Sequence, residues 1–295
     1  MNNTQRAYLE LHIAVFLFGF TAILGGFIQL PSLVLVWWRL LIACVAIILF
    51  GNIFHKIKKI PRPVLYQLVG TGFIIALHWV AFFGAVKLAN ASVALVTFAT
   101  TSLISSFVEP LMMRQRIKGY EVLLGILIVP AMALIVGGLP RGMGLGFIIG
   151  LLSSLLAVIF SILNKKNVTK ADPLSIMFLN LSGGWLLLSF LMPFYWISDP
   201  SVRFIPSYSD SLFLLILALL CTNLGYLLSV RALRYLSAFA SNLTINLEAV
   251  YGIILAWLIL KEDQELTPSF YIGASLIIVS VMSYPFLRSR FLGKI

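Results

Sequence analysis

Charged and titratable side chains are few in the apolar stretches of this chain, and those that occur there are candidates for chemistry. Glu248 lies twelve residues into the stretch 236–260, which places it about 18 Å along a helix at 1.5 Å per residue. Arg39 follows Trp37 and Trp38, and His78 precedes Trp79. A charge at the centre of a membrane helix costs about 2.5–3.5 kcal/mol, so such groups usually face a cavity or a partner.

Each of these residues has a functional and a structural interpretation. Glu248 could contact a substrate amine or carry a coupling proton, or it could be a protonated packing group that bonds a neighbouring helix. Asn246 precedes it by two residues. Arg39 could bind a substrate carboxylate, or it could form a structural pair. His78 could carry a proton, and Trp79 could hold an aromatic ring or a cation. The alternative for this pair is a histidine bonded to a neighbouring helix and a tryptophan in lipid contact.

Uncharged polar residues add weaker candidates. Thr97 and Thr101 are four residues apart and share a helix face, where hydroxyl groups serve either close packing or a polar cavity lining. Near the start of the first stretch, His12 is either interfacial or a second proton site. Gly142, Gly146 and Gly150 form a GxxxGxxxG run, which predicts a close helix contact without a substrate role.

The composition predicts an all-α integral membrane protein. The chain is 61% hydrophobic and 11% charged, whereas soluble domains average about 25% charged residues. Apolar stretches long enough to cross the bilayer recur throughout the chain. They predict ten transmembrane helices, at 7–28, 33–54, 64–86, 91–113, 118–138, 143–163, 173–196, 211–231, 236–260 and 267–287.

The basic residues orient these spans. With both termini in the cytoplasm, sixteen of the 21 Lys and Arg residues fall in cytoplasmic segments and four fall on the opposite side. Short loops that remain cytoplasmic carry such a basic excess. The net charge of +11 is therefore spread over short loops and forms no continuous basic face, so no nucleic-acid partner is expected. The expected partners are the lipid bilayer and a small-molecule substrate.

Two segments, 88–136 and 236–283, read as copies of one another. The loop of the first copy is basic (Arg114, Arg116, Lys118), whereas the loop of the second is acidic (Glu262, Asp263, Glu265). The copies are therefore predicted to cross the membrane in opposite directions, which is typical of secondary transporters. The chain divides into two inverted five-helix repeats, residues 1–139 and 140–295. In this alignment Glu248 corresponds to Thr101, so the two halves differ chemically.

Three stretches resemble blocks of the drug/metabolite transporter superfamily of EamA type. They are 246–262 (NLEAVYGIILAWLILKE), 77–87 (LHWVAFFGAVK), and Gly225-Tyr226 with Ala232-Leu233-Arg234. At position 249 this chain has Ala where relatives often have Pro. The resemblance implies a central cavity lined mainly by helices 1, 3, 4, 6, 8 and 9, with Asn223 and Tyr226 of helix 8 near it. It also implies a location in the bacterial inner membrane.

The function expected from this resemblance is secondary active export of small organic metabolites, such as amino acids, by alternating access, with proton coupling as a further expectation. The chain has no HExxH motif, no paired catalytic carboxylates and no GxxxxGK[ST] loop, so an enzyme or a primary pump is not expected. No cofactor and no metal site are expected. A non-transporting receptor or scaffold is the alternative. The sequence leaves the substrate, the direction, the coupling ion and the choice between monomer and homodimer open.

Overall fold

The computed structural model describes residues 2–117, 137–261 and 267–276, and single or paired positions at 119, 122, 130–131, 134–135, 278–279 and 283. All regular structure in these residues is helical. The first half contains α1 (Asn3–Phe27), α2 (Ser32–Phe50), α3 (Ile53–Ile57), α4 (Arg62–Leu88), α5 (Ala91–Phe98) and α6 (Thr101–Met113).

The second half contains two π-helical segments, π1 and π2, that continue α-helices. Its elements are α7 (Gly144–Asn167), α8 (Pro173–Ser198), α9 (Tyr208–Ile216), π1 (Leu217–Leu224), α10 (Gly225–Leu233), α11 (Ala238–Ile245), α12 (Leu247–Leu255) and π2 (Ala256–Leu260). The segments α9, π1 and α10 form one span, and so do α5 with α6 and α11 with α12 and π2.

Eight helices in the described part of the chain are long and apolar enough to cross a membrane. They correspond to eight of the ten predicted spans. The predicted span 118–138 falls largely outside the described residues, and the predicted span 267–287 is described only at 267–276, 278–279 and 283. The count of ten and the inverted relation of the two halves therefore remain predictions.

Equivalent residues of the two copies begin equivalent helices. The Asn90 side chain accepts a hydrogen bond from the Val93 backbone N–H (2.9 Å) at the start of α5. Ser237, at the matching position, accepts one from the Ala240 N–H (3.1 Å) at the start of α11. Both residue types satisfy N–H groups that the first helical turn leaves without intrahelical partners.

The two halves pack against each other over most of the bundle. α4 lies against α7 and α8, while α1 lies against α10 and α12. At the crossing of α4 and α8 the backbones touch, since a Cβ added to Gly72 would lie 2.1 Å from the Asn180 carbonyl oxygen. A Cβ added to Gly183 would lie 2.3 Å from the Val69 carbonyl oxygen. Small residues allow such close packing in lipid.

The predicted glycine contact face is confirmed at two of its three positions. A Cβ added to Gly150 would lie 2.2 Å from Thr97 Oγ1, and one added to Gly146 would lie 2.7 Å from the Ala89 Cβ. Gly142, by contrast, has open space around it and a φ of 100°. It therefore belongs to the turn before α7, where a positive φ favours glycine.

Candidate functional site

A central cavity of about 100 Å³ lies among α1, α2, α4, α5, α7, α10, α11 and α12. It brings together five of the residues selected from the sequence, namely Arg39, His78, Trp79, Tyr226 and Glu248. Its other lining side chains include five aromatic or hydroxyl groups from α1, α4, α5 and α7 (Phe18, Thr21, Phe82, Phe98 and Phe160). Helix α2, which the resemblance did not include among the main lining helices, contributes Arg39.

The Arg39 guanidinium is the cation of this cavity and is 1% exposed. Its Nε donates to Thr222 Oγ1 (2.6 Å), and its Cζ lies 3.9 Å from the centre of the Trp79 ring. The π-helical turn of π1 shapes this contact, because Thr222 Oγ1 in turn donates to the carbonyl of Leu217, five residues earlier (2.8 Å). Arg39 Nη1 is buried and has no hydrogen-bond partner among the described residues. The cation therefore retains a donor for an anionic group.

Glu248 is the second residue of α12, and it is 5% exposed. Within the described part of the chain it has no hydrogen-bond or ion-pair partner, and its electrostatic partner is Arg39. Arg39 comes from the first half and Glu248 from the second. The cavity thus presents a guanidinium from one half and a carboxyl group from the other in an otherwise mainly apolar lining.

His78 faces the same cavity with its orientation fixed. Its Nδ1 lies 2.9 Å from the Ser153 carbonyl oxygen and 2.9 Å from Ser153 Oγ. Because a carbonyl oxygen can only accept, Nδ1 of the neutral ring carries the proton and Nε2 is an acceptor. The ring also stacks on Phe98, with centroids 5.6 Å apart. Trp79 is buried under Arg39 and does not face lipid.

A buried amide and phenol network borders the cavity on the side of the second half. Asn180 Nδ2 donates to Asn164 Oδ1 (2.7 Å) and to the Tyr226 hydroxyl (2.5 Å), and Asn164 Nδ2 donates to the same hydroxyl (3.2 Å). These bonds join α7, α8 and α10. The network fixes Tyr226 at the cavity wall, so it can present its hydroxyl proton to another acceptor.

Two spans are interrupted at matching positions of the two copies. α5 ends at Phe98 and α6 begins at Thr101, while α11 ends at Ile245 and α12 begins at Leu247. At each interruption the backbone forms an i to i−3 bond, Thr100 N–H to the Thr97 carbonyl and Ala249 N–H to the Asn246 carbonyl (both 3.1 Å). Across the interruptions, the Thr101 hydroxyl donates to Asn246 Oδ1 (2.6 Å). Thr101 and Asn246 therefore join the two halves next to Glu248.

Three further candidates lie outside the cavity lining. Thr97 Oγ1 bonds the carbonyls of Val93 and Ala94 within its own helix. Asn223 Nδ2 donates to the Ala43 carbonyl on α2 (3.2 Å). His12 lies on the exposed surface of α1. The structure thus places Thr97 and Asn223 in helix contacts and His12 away from Glu248.

Three residues that orient groups of the cavity were not selected from the sequence. Asn164, Asn180 and Thr222 carry the bonds that orient Tyr226 and Arg39. Asn180 lies in the middle of a predicted span, which was a usable signal, since polar residues within spans tend to face the bundle interior. Thr222 also lies within a predicted span, but threonine is a common packing residue in membrane helices, and Asn164 lies one residue beyond the predicted end of its span.

The two ends of the bundle differ. Lining residues of the cavity extend to Leu233, the last residue of α10, at the predicted cytoplasmic end. At the other end an aromatic cluster of Trp37, Trp38 and Phe204 closes the bundle, with Trp38 Nε1 donating to the Phe204 carbonyl (2.8 Å). Phe204 of the segment 199–207 therefore packs on α2 at the predicted external end of the bundle.

The comparisons with known proteins agree with this architecture. Residues 5–137 and 144–284 each match the sequence profile of the EamA-like transporter family. No curated protein matches the chain significantly. A solved structure entitled "Crystal structure of protein" is similar in fold, with a TM-score of 0.69 and 15% sequence identity over 97% of this chain and 98% of that one. At that identity the likeness concerns the fold alone.

The family profile covers both halves of the chain, and the helical bundle encloses a mainly apolar cavity with a few polar groups between them. Members of this family are membrane transporters of the drug/metabolite type. The chain is a multi-pass membrane protein and belongs to the EamA-like transporter family.

Proposed function

We propose that this protein is a secondary active transporter that exports small organic metabolites, such as amino acids, by alternating access. The observation that carries the proposal is that two ionisable groups, the Arg39 guanidinium and the Glu248 carboxyl, are buried in one cavity and contributed by the two halves. Buried charges are costly in a membrane and mark substrate or ion pathways.

The chemistry of the cavity favours a small amphiphilic substrate. Arg39 has a free donor for a carboxylate, and Glu248 can accept from an amine. His78 Nε2 is an acceptor, and Phe82 and Phe98 offer apolar contact. A few convergent polar groups in an apolar lining are typical of small-molecule sites.

Glu248 is also the proposed proton-coupling group. A carboxyl that is buried in the cavity and has no fixed hydrogen-bond partner can bind either a proton or the substrate amine. Competition between the two would couple export to proton entry. Two observations support alternation between the sides of the membrane: the cavity extends toward the predicted cytoplasmic end, and the other end is closed.

The proposed location is the bacterial inner membrane with both termini in the cytoplasm. The distribution of basic residues supports this orientation. Export then means that the substrate enters from the end of the cavity near Leu233.

The test has two stages. Purified protein is screened for thermal stabilisation by amino acids, nucleosides and cationic drugs, since a bound ligand stabilises the folded state. Each stabilising compound is then measured in proteoliposomes by counterflow and by uptake driven by a pH gradient. We expect at least one compound to give both stabilisation and flux.

Stabilisation without counterflow or gradient-driven flux would favour the receptor or scaffold alternative over transport. Flux that does not depend on the pH gradient would support transport and contradict the proposed proton coupling.

A further inference from the structure

A second pocket, of about 370 Å³, lies at the predicted cytoplasmic end of the bundle, apart from the central cavity. It is formed by the first turns of α1, the start of α8 and the end of α10. Its charged lining residues are Arg6, Glu10, Asp172, Arg231 and Arg234. We call this set the basic pocket.

The two acidic residues link the helices that form the basic pocket but do not neutralise all of its arginines. The Glu10 carboxylate contacts Arg6 Nε (3.0 Å) and Arg231 Nη2 (2.9 Å), which joins α1 to α10. Asp172 accepts from the Ser175 N–H (3.3 Å) as the cap of α8. Three guanidinium groups face two carboxylates, so the pocket keeps a net positive charge.

Among the described residues, Arg234 is the guanidinium of the basic pocket that has no ion pair with a carboxylate. Its Nη2 donates to the Ala171 carbonyl (2.8 Å), which fixes its side chain against the loop before α8. A guanidinium carries five N–H groups in a planar fork that suits phosphate oxygens. Arg234 is therefore positioned to bind a phosphate without breaking the bonds of Glu10.

Apolar surface continues directly from the basic pocket toward the membrane centre. Leu227 lines the pocket itself. Leu224 precedes Leu227 by three residues, and Ile13 follows Glu10 by three residues. Because residues three apart lie on the same helix face, both share the side that faces the pocket. Both side chains are exposed, at 42% and 46%. A freely soluble phosphate compound would make no use of this surface, whereas an acyl chain would cover it.

We propose that the basic pocket binds the phosphate of an anionic phospholipid from the predicted cytoplasmic leaflet, with an acyl chain against Ile13 and Leu224. Basic pockets between membrane helices at this depth suit anionic head groups. The opposite face of α10 lines the central cavity through Tyr226 and Ser229. A bound lipid would thus hold α10 against α1 at the cavity entrance.

The experiment uses the full-length protein in detergent, titrated with phosphatidylglycerol, with phosphatidylcholine or with glycerol 3-phosphate, and read out by native mass spectrometry and thermal stability. We expect phosphatidylglycerol to bind and stabilise more strongly than the other two. Arg234→Gln should weaken phosphatidylglycerol binding about fivefold and leave phosphatidylcholine binding unchanged. Arg62→Gln, which removes an exposed basic residue outside the pocket, is the control and should bind like the wild type.

Equal binding of phosphatidylglycerol and phosphatidylcholine would overturn the proposal. So would an equal loss of phosphatidylglycerol binding in Arg234→Gln and Arg62→Gln. Binding of glycerol 3-phosphate as tight as that of phosphatidylglycerol would also overturn it, because the pocket would then be a site for soluble anions. Ile13→Ser separates the acyl-chain contact from the phosphate contact. It should weaken phosphatidylglycerol binding and leave glycerol 3-phosphate binding unchanged, and the opposite pattern would contradict the proposed acyl-chain contact.

Discussion

At the scale of single residues, Arg39 and Glu248 dominate the chemistry of the cavity. Both could be selected from the sequence because a charged group within an apolar span is rare and costly. The contacts of Arg39 with Thr222 and Trp79 could not be predicted, since these residues reach Arg39 only when α2, α4 and π1 pack together. Sequence therefore finds the charged groups, and the fold decides what orients them.

The first prediction at this scale concerns Glu248. Glu248→Gln removes the titratable proton and keeps the shape of the side chain. We expect substrate accumulation driven by a pH gradient to fall by about tenfold or more, and counterflow to fall less, because counterflow needs no proton exchange and the amide oxygen can still accept from a substrate amine. Both are measured in proteoliposomes.

The control for this prediction is Glu109→Gln, which changes another buried carboxyl in a span but outside the cavity lining. It should keep the response to the gradient. If the Glu248→Gln protein still accumulated substrate in response to the pH gradient as the wild type does, Glu248 would not be the coupling group.

A second prediction concerns the shape of the Arg39 cation. Arg39→Lys keeps the charge but loses the planar contact with Trp79 and the bond from Nε to Thr222. The expected loss in the free energy of unfolding is roughly 2 kcal/mol, since a desolvated cation–π contact and a charge-assisted hydrogen bond are both weakened. The measurement is denaturant unfolding in detergent micelles.

Arg203→Lys is the matched control, because Arg203 is half exposed and its nitrogen lies 3.5 Å from Asp210. Asp210 is buried, but the Arg203 side chain is half exposed and lysine keeps the charge beside it, so Arg203→Lys should change stability little. Equal stability of Arg39→Lys and Arg203→Lys would show that the geometry of the buried guanidinium is unimportant.

At the scale of helices, the spans themselves follow from apolar length, whereas their interruptions do not. The breaks at Ala99–Thr100 and at Asn246 contain neither glycine nor proline, so no helix-breaking residue predicts them. They become evident only from backbone bonds and from the Thr101 to Asn246 contact between the halves. Position 249, where relatives often have proline, lies in the first turn of α12, and its N–H donates to the Asn246 carbonyl at the break.

The close crossing of α4 and α8 gives a prediction at this scale. Gly72→Ala would place a methyl group 2.1 Å from the Asn180 carbonyl oxygen, and backbone cannot move aside cheaply. We expect a loss of roughly 1–3 kcal/mol in the free energy of unfolding, as for other overpacked contacts.

Gly70→Ala, on the same helix, is the control because its added methyl group meets no atom within 4 Å. It should leave stability unchanged or raise it by up to about 1 kcal/mol, since alanine favours helix. Similar effects of the two substitutions would contradict the close crossing.

At the scale of the whole molecule, the membrane character and the two related halves could be predicted from composition, loop charge and internal repetition. The packing between the halves could not, because it depends on which glycine and serine faces meet. The predicted spans 118–138 and 267–287 and the inverted orientation need a separate test of topology.

That test uses single cysteines at Arg116 and Lys261 in a background where Cys44 and Cys221 are replaced by alanine. Membrane-impermeant thiol reagents applied to intact cells should label Lys261→Cys and leave Arg116→Cys unlabelled until the cells are permeabilised. Opposite sides are expected because the two loops follow equivalent helices of opposite direction. Labelling of both positions from the same side would contradict the inverted repeat.

The most direct measurement of transport through the central cavity is counterflow of a labelled, stabilising substrate into proteoliposomes containing Ala157→Trp. Ala157 lines the cavity on α7, so the indole should fill the space that the substrate needs. Leu152→Trp adds a similar ring to the exposed side of the same helix. We predict that Ala157→Trp abolishes counterflow while the Leu152→Trp protein exchanges substrate like the wild type. Undiminished counterflow through a correctly folded Ala157→Trp protein would contradict transport through this cavity.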